Sequence, residues 1–414
     1  MAPNTASTET EVLIIGAGPA GSATAIALRR AGIDVLLADR HDFPRDKACG
    51  DALMPDALRA LERLGVRQEV LASALRTDSM RIHAPNGAAV GVQGDFAGLP
   101  RRVLDRMLLD AARHAGARFL PRHRVLGPLR NQERVRGARF SVAGASAQRS
   151  VQASFTVLAT GAAAEPLDAF NVLLRRNPSA FALRAYYRVP NRIASGHPHL
   201  CLSYDAAICP GYGWSFPGPD NVFNLGVGVF CGGSGMSGIP NLRELWRTFI
   251  REFRPAREIV AAGQPIAMPR GAPLRCNLDG AHFHRPGLLV VGEAAGATFP
   301  FSGEGIGKAL ESGLTAAETI ASAVHGNVDQ VDAAGPEYEA KFRARHAARY
   351  RGYRRAQSWL AWPSMCNLIA RRAAPGSFAA SKLEDMIQER GDPRELFSVP
   401  GMLRTLLPVS FRGP

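Results

Sequence analysis

The stretch Gly16-Ala17-Gly18-Pro19-Ala20-Gly21 decides the fold of this 414-residue chain. An apolar run at residues 12–15 predicts a buried strand before it, and residues 22–30 predict a helix after it. A second apolar run, residues 34–38, ends at Asp39. Glycines in this pattern permit a tight turn, close approach of backbone N–H groups to a pyrophosphate and close helix packing, and the acid accepts hydrogen bonds from a ribose. The sequence therefore predicts a βαβ unit that binds a dinucleotide.

The composition is that of an ordinary globular protein with a strong positive charge. Hydrophobic residues make up 46% of the chain and charged residues 21%, and the length allows two or more domains. The net charge is +14, nearly all of it from arginine. This excess favours an anionic partner, such as a diphosphate, a coenzyme A or carrier-protein thioester, or an anionic membrane surface, although a GC-rich genome produces the same arginine bias. No nucleic-acid-binding module is readable, so we expect no nucleic acid partner.

The cysteines and the amino-terminal residues predict the location. The six cysteines are scattered without a Cys-x-x-Cys pair, and residues 1–11 lack a basic signal-peptide region. We therefore expect reduced thiols in a cytoplasmic protein. The long uncharged run at residues 12–28 contains three glycines and a proline, which is typical of strand, turn and helix rather than of a membrane span. His282 and His284 have no partners at metal-ligand spacing, so we expect no metal.

The order of the remaining patterns predicts a nucleotide-binding domain built from separated segments. Asn86-Gly87 between extended runs at residues 80–84 and 88–92 predicts a β-hairpin that opens a second, β-rich layer. The stretch at residues 180–266 is β-rich, and the chain from residue 337 onward looks helical. Further patterns predict helices at residues 54–64, 101–114, 242–253 and 305–323, and strands at residues 135–142, 150–155, 156–159 and 288–291.

A second glycine-rich cluster follows the late strand at residues 288–291. It consists of Gly292-Glu293-Ala294-Ala295-Gly296 and, after Pro300, Gly303-Glu304-Gly305-Ile306-Gly307. An acid at the end of a strand accepts hydrogen bonds from ribityl hydroxyls, and a glycine-rich helix start stabilises the negative charge of a reduced flavin. Together with the amino-terminal unit, this cluster favours FAD over NAD.

These motifs resemble the p-hydroxybenzoate-hydroxylase-type FAD superfamily, with Arg102-Val103-Leu104-Asp105 as a third element. Two further stretches resemble the geranylgeranyl reductase family within it. One is residues 43–50, Phe-Pro-Arg-Asp-Lys-Ala-Cys-Gly, and the other is Tyr212-Gly213-Trp214-Ser215-Phe216-Pro217 followed by Gly226-Val227-Gly228. The resemblance covers about residues 11–323, roughly three quarters of the chain.

The resemblance implies an α/β fold: a Rossmann-type FAD-binding domain with an inserted β-rich substrate domain and a helical C-terminal region. We expect FAD-binding segments at residues 1–79, 101–165 and 276–330, substrate-domain segments at 80–100 and 166–275, and the helical region at 331–414. The expected cofactor-binding residues are Gly16, Gly18, Pro19, Ala20, Gly21, Asp39, Arg40, Cys49, Gly50, Arg102, Gly292, Glu293, Gly303, Gly305 and Ile306. The expected substrate-binding residues are Tyr212, Trp214, Phe216, Pro217, Gly226 and Gly228.

The activity that the resemblance implies is the flavin-dependent saturation of carbon–carbon double bonds in a hydrophobic isoprenoid, such as a prenyl lipid, a prenyl diphosphate or a menaquinone. Saturating an isolated alkene needs a hydride and a proton, and Cys49, Tyr212 and Glu304 are the candidate proton donors, in that order. Arg45 and Lys47 precede Cys49 and would lower the pKa of its thiol. Ala159-Thr160-Gly161 stands where many relatives have Asp-Gly, so either NAD(P)H or a redox protein is the external electron donor.

Other interpretations stay open at this stage. The same fold serves FAD-dependent monooxygenases of natural-product biosynthesis that act on aromatic or carrier-bound substrates, and a flavin-binding regulatory protein is a non-enzymatic alternative. A halogenase is disfavoured because the chain lacks a Trp-x-Trp-x-Ile-Pro stretch. Six arginines between residues 343 and 355, followed by the apolar residues 359–363 and 402–407, suit peripheral contact with an anionic membrane.

Overall fold

The computed structural model describes residues 8–144, 148–231, 241–360 and 362–406. The expectations that fall on residues 1–7, 145–147, 232–240, 361 and 407–414 therefore lie outside the described residues. The strands, in chain order, are β1 (Thr8–Ile15), β2 (Val35–Ala38), β3 (Ala52–Leu53), β4 (Leu75–His83), β5 (Ala89–Gly98), β6 (Arg118–Leu120), β7 (His123–Asn131), β8 (Arg134–Val142), β9 (Gln148–Leu158), β10 (Ala180–Arg188), β11 (Leu200–Ser203), β12 (Tyr212–Pro217), β13 (Val222–Phe230), β14 (Gln264–Pro265), β15 (Arg270–Leu274), β16 (His284–Arg285) and β17 (Leu288–Val290).

The helices alternate with these strands at first and then follow them. They are α1 (Pro19–Arg30), α2 (Pro55–Arg63), α3 (Arg67–Ser73), α4 (Arg101–His114), α5 (Ala164–Ala169), α6 (Asn191–Ala194), α7 (Leu242–Glu252), α8 (Arg254–Ala262), α9 (Ile306–Ala323), α10 (Val328–Leu360), α11 (Pro363–Arg372), α12 (Phe378–Ile387) and α13 (Val399–Leu406). Within the described ranges, no helix combines the length and the hydropathy that a membrane crossing needs.

The first sheet contains the predicted βαβ unit. Its strand order is β16-β17-β9-β1-β2-β6, with β8 and β7 added beside β9. β1 runs parallel to β2 and β9, where Val12 lies opposite Val35 and Phe155. The central strands are apolar and buried, as expected for a parallel sheet covered on both faces. α1 begins at Pro19, directly after the glycine turn, so the predicted strand–turn–helix is confirmed.

The second sheet has the order β14-β10-β13-β12-β11-β4-β5-β3, with β15 beside β10. The predicted hairpin is confirmed, because β4 and β5 pair antiparallel with Ile82 opposite Val90. The hairpin belongs to this second sheet, and its first strand begins at Leu75. The α/β fold class is thus as the resemblance implied, whereas the division of the chain into domain segments stays a prediction.

One prediction about the strands was wrong. The two strands predicted at residues 150–155 and 156–159 form the single strand β9, which ends at Leu158. The first part of β9 pairs antiparallel with β8, and its last part, from Thr156, pairs parallel with β17. Along this continuous strand the side chains change from half-exposed to fully buried. The residue composition changes at the same point, which is why the sequence suggested a boundary between two strands.

The helical C-terminal region covers the end of the first sheet. Tyr338 of α10 donates a hydrogen bond from its hydroxyl to the Val290 carbonyl at 3.0 Å. Tyr350, three turns later, donates to the Ala297 carbonyl at 2.6 Å. Both acceptors flank the Gly292–Ala295 turn, so α10 is held against the second glycine-rich cluster.

Candidate active site

A cavity of about 440 Å³ lies where the two sheets meet. Most of the residues singled out in the sequence line it: Gly16, Gly18, Pro19, Ala20, Asp39, Arg40, Cys49, Gly50, Tyr212, Trp214, Phe216, Glu293, Gly303, Glu304, Gly305 and Ile306. Motifs that are far apart in the sequence thus come together around one space. Six residues singled out in the sequence do not line it: Gly21, Arg102, Pro217, Gly226, Gly228 and Gly292.

The first glycine turn has the geometry that a pyrophosphate needs. Gly16 has φ +110°, and a Cβ on it would lie 2.3 Å from the Ala159 carbonyl oxygen. A Cβ on Gly21 would lie 1.9 Å from the Gly16 carbonyl oxygen, so Gly21 acts by allowing helix contact rather than by facing the cavity. Asp39 accepts a hydrogen bond from the Ala17 N–H at 2.8 Å and thereby holds the turn. The open backbone at the start of α1 fits an anion at a helix N-terminus.

The arginine beside this turn is Arg101 and not Arg102. Arg102 is exposed and does not line the cavity, so our expectation for it needs correction. Arg101 is buried, and its guanidinium donates to the Asp105 carboxylate at 2.6 and 2.8 Å. Arg45 contacts the same carboxylate at 3.0 Å, and both guanidinium groups lie within 4 Å of the position a Gly18 Cβ would take. One residue is about 100° around a helix, which moves Arg102 to the solvent face and leaves Arg101 on the buried face with Asp105.

The second glycine-rich cluster meets the loop that contains Cys49. Glu293 accepts a hydrogen bond from the Lys47 ammonium at 2.7 Å. Gly292 has φ +66°, and a Cβ on it would lie 2.8 Å from the Cβ of Ala20, so this glycine lets the turn pack on α1. The Lys47 partner of Glu293 was not visible in the sequence.

A buried polar network fixes the Cys49 loop to the β-rich sheet. Asn224 donates from its amide to the Cys49 carbonyl and to the Asp51 carboxylate, each at 2.7 Å. The Trp214 indole N–H donates to the Asn224 side-chain oxygen at 2.9 Å, and Tyr186 donates to Asp51. Burial raises the pKa of Asp51 to about 6, against the opposing effect of these hydrogen bonds. Sequence reasoning missed Asn224, Asp51 and Tyr186.

The Cys49 thiol differs from our expectation. Burial raises its pKa, and the lowering effects of Arg101 and Lys47 are smaller. The expected thiolate character is therefore wrong, because the loop removes the thiol from water more effectively than its cations stabilise the anion. Cys49 lies in the cavity as a neutral thiol.

Three aromatic rings of β12 form one wall of the cavity. Tyr212, Trp214 and Phe216 alternate along the strand and so face the same side of the sheet. Gly226 and Gly228 of β13 lie opposite Trp214 and Tyr212. A Cβ on Gly226 would lie 2.0 Å from the indole ring, and one on Gly228 would lie 3.0 Å from the phenol ring. These two glycines make room for the aromatic wall.

A smaller apolar compartment of about 60 Å³ adjoins the cavity. Met80, Leu202, Ser302 and Glu304 line both spaces. Its other walls are mostly apolar and come from β4, β5 and the C-terminal region, among them Ile82, Val90, Ile369, Leu383, Met386 and Phe397. The C-terminal region therefore contributes to the site, for which the sequence offered no motif.

Glu304 is the ionisable group in the wall between the two spaces. Burial, followed by the nearby Asp56 and Glu389 carboxylates, raises the pKa of Glu304 to about 8. Burial also raises the pKa of Tyr212, whose hydroxyl donates to the Ser302 carbonyl at 3.0 Å. At neutral pH the Glu304 carboxyl holds a proton that it can release, whereas the phenol holds its proton much more tightly.

The donor set at the glycine turn fits a flavin dinucleotide. A helix N-terminus and two guanidinium groups meet where a pyrophosphate would lie, and a second glycine turn lies across the same cavity. A family model described as an FAD binding domain matches residues 9–167. FAD is accordingly the cofactor of this chain.

Comparison with known proteins points to one family. The chain is 32% identical over 335 residues to the menaquinone reductase of Mycobacterium tuberculosis strain CDC 1551 / Oshkosh, covering 75% of this chain and 76% of that one. It is 29% identical over 356 residues to the digeranylgeranylglycerophospholipid reductase of Methanoculleus marisnigri, covering 81% and 82%.

Solved structures show the same fold. A geranylgeranyl bacteriochlorophyll reductase-like protein of Thermoplasma acidophilum superposes with a TM-score of 0.77 at 20% identity, covering 96% of each chain. The flavin-dependent brominase Bmp2 superposes with a TM-score of 0.75 at 18% identity, covering 96% of this chain and 98% of that one. At such identities the likeness concerns the fold alone. With the sequence relatives, however, the assignment is clear: the chain belongs to the geranylgeranyl reductase family of FAD-dependent oxidoreductases.

Proposed function

We propose that this enzyme saturates carbon–carbon double bonds of a prenyl substrate. The observation that carries the proposal is that the flavin cavity, with its aromatic wall, and the apolar compartment beneath the C-terminal helices share Met80, Leu202, Ser302 and Glu304 as lining residues. A branched hydrocarbon chain needs apolar surroundings on both sides of the reacting bond, and this pair of spaces supplies them. The named activities of the two sequence relatives, on menaquinone and on digeranylgeranylglycerophospholipid, agree with this chemistry.

FAD would supply the hydride when it is bound in its reduced form. Arg101 and Arg45 would hold its pyrophosphate at the start of α1, and the Gly303–Ile306 turn would face its ring system. Tyr212, Trp214 and Phe216 would orient the prenyl chain and exclude water from the reacting bond. The carboxyl of Glu304 would donate the proton, since it faces both spaces and its pKa of about 8 keeps it protonated at neutral pH. This choice reverses the order expected from the sequence, in which Cys49 and Tyr212 came first.

An anaerobic assay tests the function. The purified enzyme is reduced chemically and mixed without oxygen with prenyl quinones, prenyl diphosphates and aromatic acids, while flavin reoxidation and product mass are followed. Reoxidation with a two-hydrogen gain in a prenyl compound supports the proposal. Reduced flavin that persists until air is admitted, and then yields an oxygenated aromatic product, would instead establish the monooxygenase alternative. Supplying NAD(P)H or a reduced redox protein in place of the chemical reductant identifies the electron donor.

We also propose that the C-terminal helices contact an anionic membrane surface, where a prenyl lipid is found. Val399, Leu403 and Leu406 of α13 are 69%, 60% and 44% exposed, at spacings that place them on one helix face. Trp362 is 64% exposed at the start of the neighbouring α11, and the exposed Arg371, Arg372 and Arg404 add positive charge. Sedimentation with vesicles of anionic phospholipid, compared with vesicles of neutral phospholipid, tests this contact; a Leu403→Glu variant that still sediments equally well would disprove it.

A further inference from the structure

A fully buried lysine lies at the first turn of α9, directly behind the flavin-facing glycine cluster. The Lys308 side chain is 0% exposed, and its ammonium lies 2.8 Å from Glu389 and 3.3 Å from Asp56 and also contacts Glu311. The oxygens of these three carboxylates lie close enough together to bind a metal ion, but each of the carboxylates already contacts the Lys308 ammonium. We call Lys308, Asp56, Glu311 and Glu389 the Lys308 centre. It joins α2, α9 and the turn that follows α12.

The Lys308 centre has one positive group for three carboxyl groups. In a buried site, two uncompensated negative charges are unfavourable. Binding a proton neutralises one of them, and this gain raises the pKa of the carboxyl groups. Burial raises the pKa of Glu389 to about 7 and also raises that of Glu311, in each case against the lowering effect of Lys308. One Glu389 oxygen is buried without a hydrogen-bond partner among the described residues. The excess of carboxyl groups over ammonium groups and the unpartnered Glu389 oxygen therefore favour a proton on the centre.

Among the residues that the structure describes, the groups around the centre do not supply the missing positive charge. Burial, then Lys308 and the neighbouring arginines, lower the pKa of His346 to about 2, so the imidazole is neutral. Arg349 of α10 donates to the Glu389 backbone carbonyl at 2.7 Å rather than to its carboxylate. Arg59 of α2 approaches the carboxylate only to 3.9 Å and is half-exposed. The remaining titratable or charged neighbours are Arg345, Tyr350, Tyr353 and Glu304.

The backbone brings this centre close to the site. Asp56 packs against Gly307, where a Cβ would lie 1.9 Å from the carboxylate, which explains the last glycine of the Gly303–Gly307 motif. Glu389 has φ +58°, the left-handed backbone conformation that glycine adopts with less strain, in the turn that follows α12. Glu304 is four residues before Lys308, and the charges of Asp56 and Glu389 act directly on its carboxyl group. The charge state of the centre therefore influences whether Glu304 carries a proton.

We propose that the Lys308 centre is a proton store that returns a proton to Glu304 after each alkene reduction. This inference rests on the proposed function. The O–H bond of Glu304 would break as its proton bonds to one alkene carbon, and the hydride for the other carbon is the chemistry that bound, reduced FAD would supply. The Glu304 carboxylate then takes a proton from the Glu389 carboxyl group, and Glu389 regains one from the solvent. Glu389, Lys308, Asp56 and Glu311 are positioning residues in this scheme, because they act through Glu304.

The test is the pH profile of the chemical step in a Glu389→Gln variant. Removing the Glu389 charge makes Glu304 lose its proton more readily, so the alkaline fall of the single-turnover rate moves to lower pH by about one unit. Repeated turnover slows more than the first turnover, because the store is gone. Glu384→Gln is the matched control. Glu384 lies on α12, and its exposed carboxylate pairs with Arg390, so the same substitution there leaves the pH profile unchanged. If Glu389→Gln does not fold, Glu311→Gln takes its place.

Infrared titration of the substrate-free holoenzyme gives a second, activity-independent readout. The wild type shows protonated-carboxyl absorption that disappears as the pH rises through neutrality, and Glu389→Gln lacks part of it. If Glu389→Gln lowers the rate equally at every pH, so that its pH profile does not move, the proton store is overturned. The absence of the protonated-carboxyl absorption in the wild type overturns it as well. Failure of the wild type to reduce any prenyl compound overturns the proposed function instead, so the two failures are distinguishable.

Discussion

The Lys47 ammonium donates a hydrogen bond to the Glu293 carboxylate at 2.7 Å, and this ion pair joins the Cys49 loop to the turn after β17. Both residues line the flavin cavity. The Lys47 side chain is 33% exposed and that of Glu293 13%, so the pair is partly shielded from water. The pair therefore links two parts of the cavity wall that are far apart in the chain.

Breaking this pair should weaken FAD binding without unfolding the protein. In Lys47→Met the Glu293 carboxylate loses its cation and the loop loses its anchor, so we expect the FAD dissociation constant to rise about fivefold, or about 1 kcal/mol. Flavin fluorescence titration of the FAD-free protein measures it. Lys341→Met is the control, because Lys341 pairs with Glu337 at 2.6 Å on the surface of α10. Equal FAD affinities of Lys47→Met and the wild type would contradict the prediction.

The adjacent residues Arg101 and Arg102 should respond very differently to substitution. Arg101→Met leaves the buried Asp105 carboxylate with only Arg45 and removes a cation beside Gly18, so we expect a loss of about 3 kcal/mol in stability and loss of bound FAD. Arg102→Met changes an exposed side chain and should alter stability by less than about 0.5 kcal/mol. Thermal denaturation and the flavin content of the purified variants check both. Loss of FAD in Arg102→Met alone would reverse our assignment.

These two arginines illustrate what the sequence could predict. The turn at Gly16 and the close packing at Gly21 could be predicted because their contacts are local, within one βαβ unit. The ribose contact expected of Asp39 stays a prediction. The choice between Arg101 and Arg102 also depends on local structure. It depends on which face of α4 is buried, and the motif alone did not specify that face.

Contacts between distant segments were beyond the sequence. Asn224 reaches the Cys49 carbonyl only because β13 and the Cys49 loop lie side by side in the fold. The sequence suggested cations near Cys49 but not how far burial outweighs them: burial raises the pKa of the thiol more than Arg101 and Lys47 lower it. The compartment beneath α11 and α12 depends on how the C-terminal helices pack, and no periodicity in the sequence reports that packing.

Gly226→Ala tests the aromatic wall. The new Cβ would lie 2.0 Å from the Trp214 ring, so the indole must move and its hydrogen bond to Asn224 is lost. We expect a loss of about 1–3 kcal/mol in stability and a lower rate of alkene reduction. Gly91→Ala is the control: Gly91 lies in β5 of the same sheet, with no atom within 4 Å of the new Cβ. Unfolding midpoints and single-turnover rates compare the two, and similar values for both variants would refute this role of Gly226.

The identity of the proton donor can be tested by comparing Cys49 and Glu304. Burial keeps the Cys49 thiol protonated, so we expect slow alkylation by iodoacetamide at pH 8. Because we assign the proton donation to Glu304, we also expect that a Cys49→Ala variant still reduces alkenes. Glu304→Gln removes the carboxyl proton but keeps the side-chain shape, and it should lower the single-turnover rate by about 100-fold or more. Flavin content, measured first, shows that both variants bind FAD. A larger rate loss in Cys49→Ala than in Glu304→Gln would return the role to the thiol.

Asp51 should make the stability of the FAD-free protein depend on pH. Burial raises the pKa of Asp51 from 3.8 to about 6, so protonation favours the folded state. The stability that this group contributes is therefore present below pH 4 and is lost as the pH rises to about 6, by up to about 3 kcal/mol. Asp51→Asn removes the titration while it retains an acceptor for the Arg101 N–H or for Tyr186. Calorimetric unfolding of both proteins between pH 4 and pH 7 measures the difference. The variant should gain stability relative to the wild type across this range, and a constant difference would show that Asp51 is ionised in the folded protein throughout.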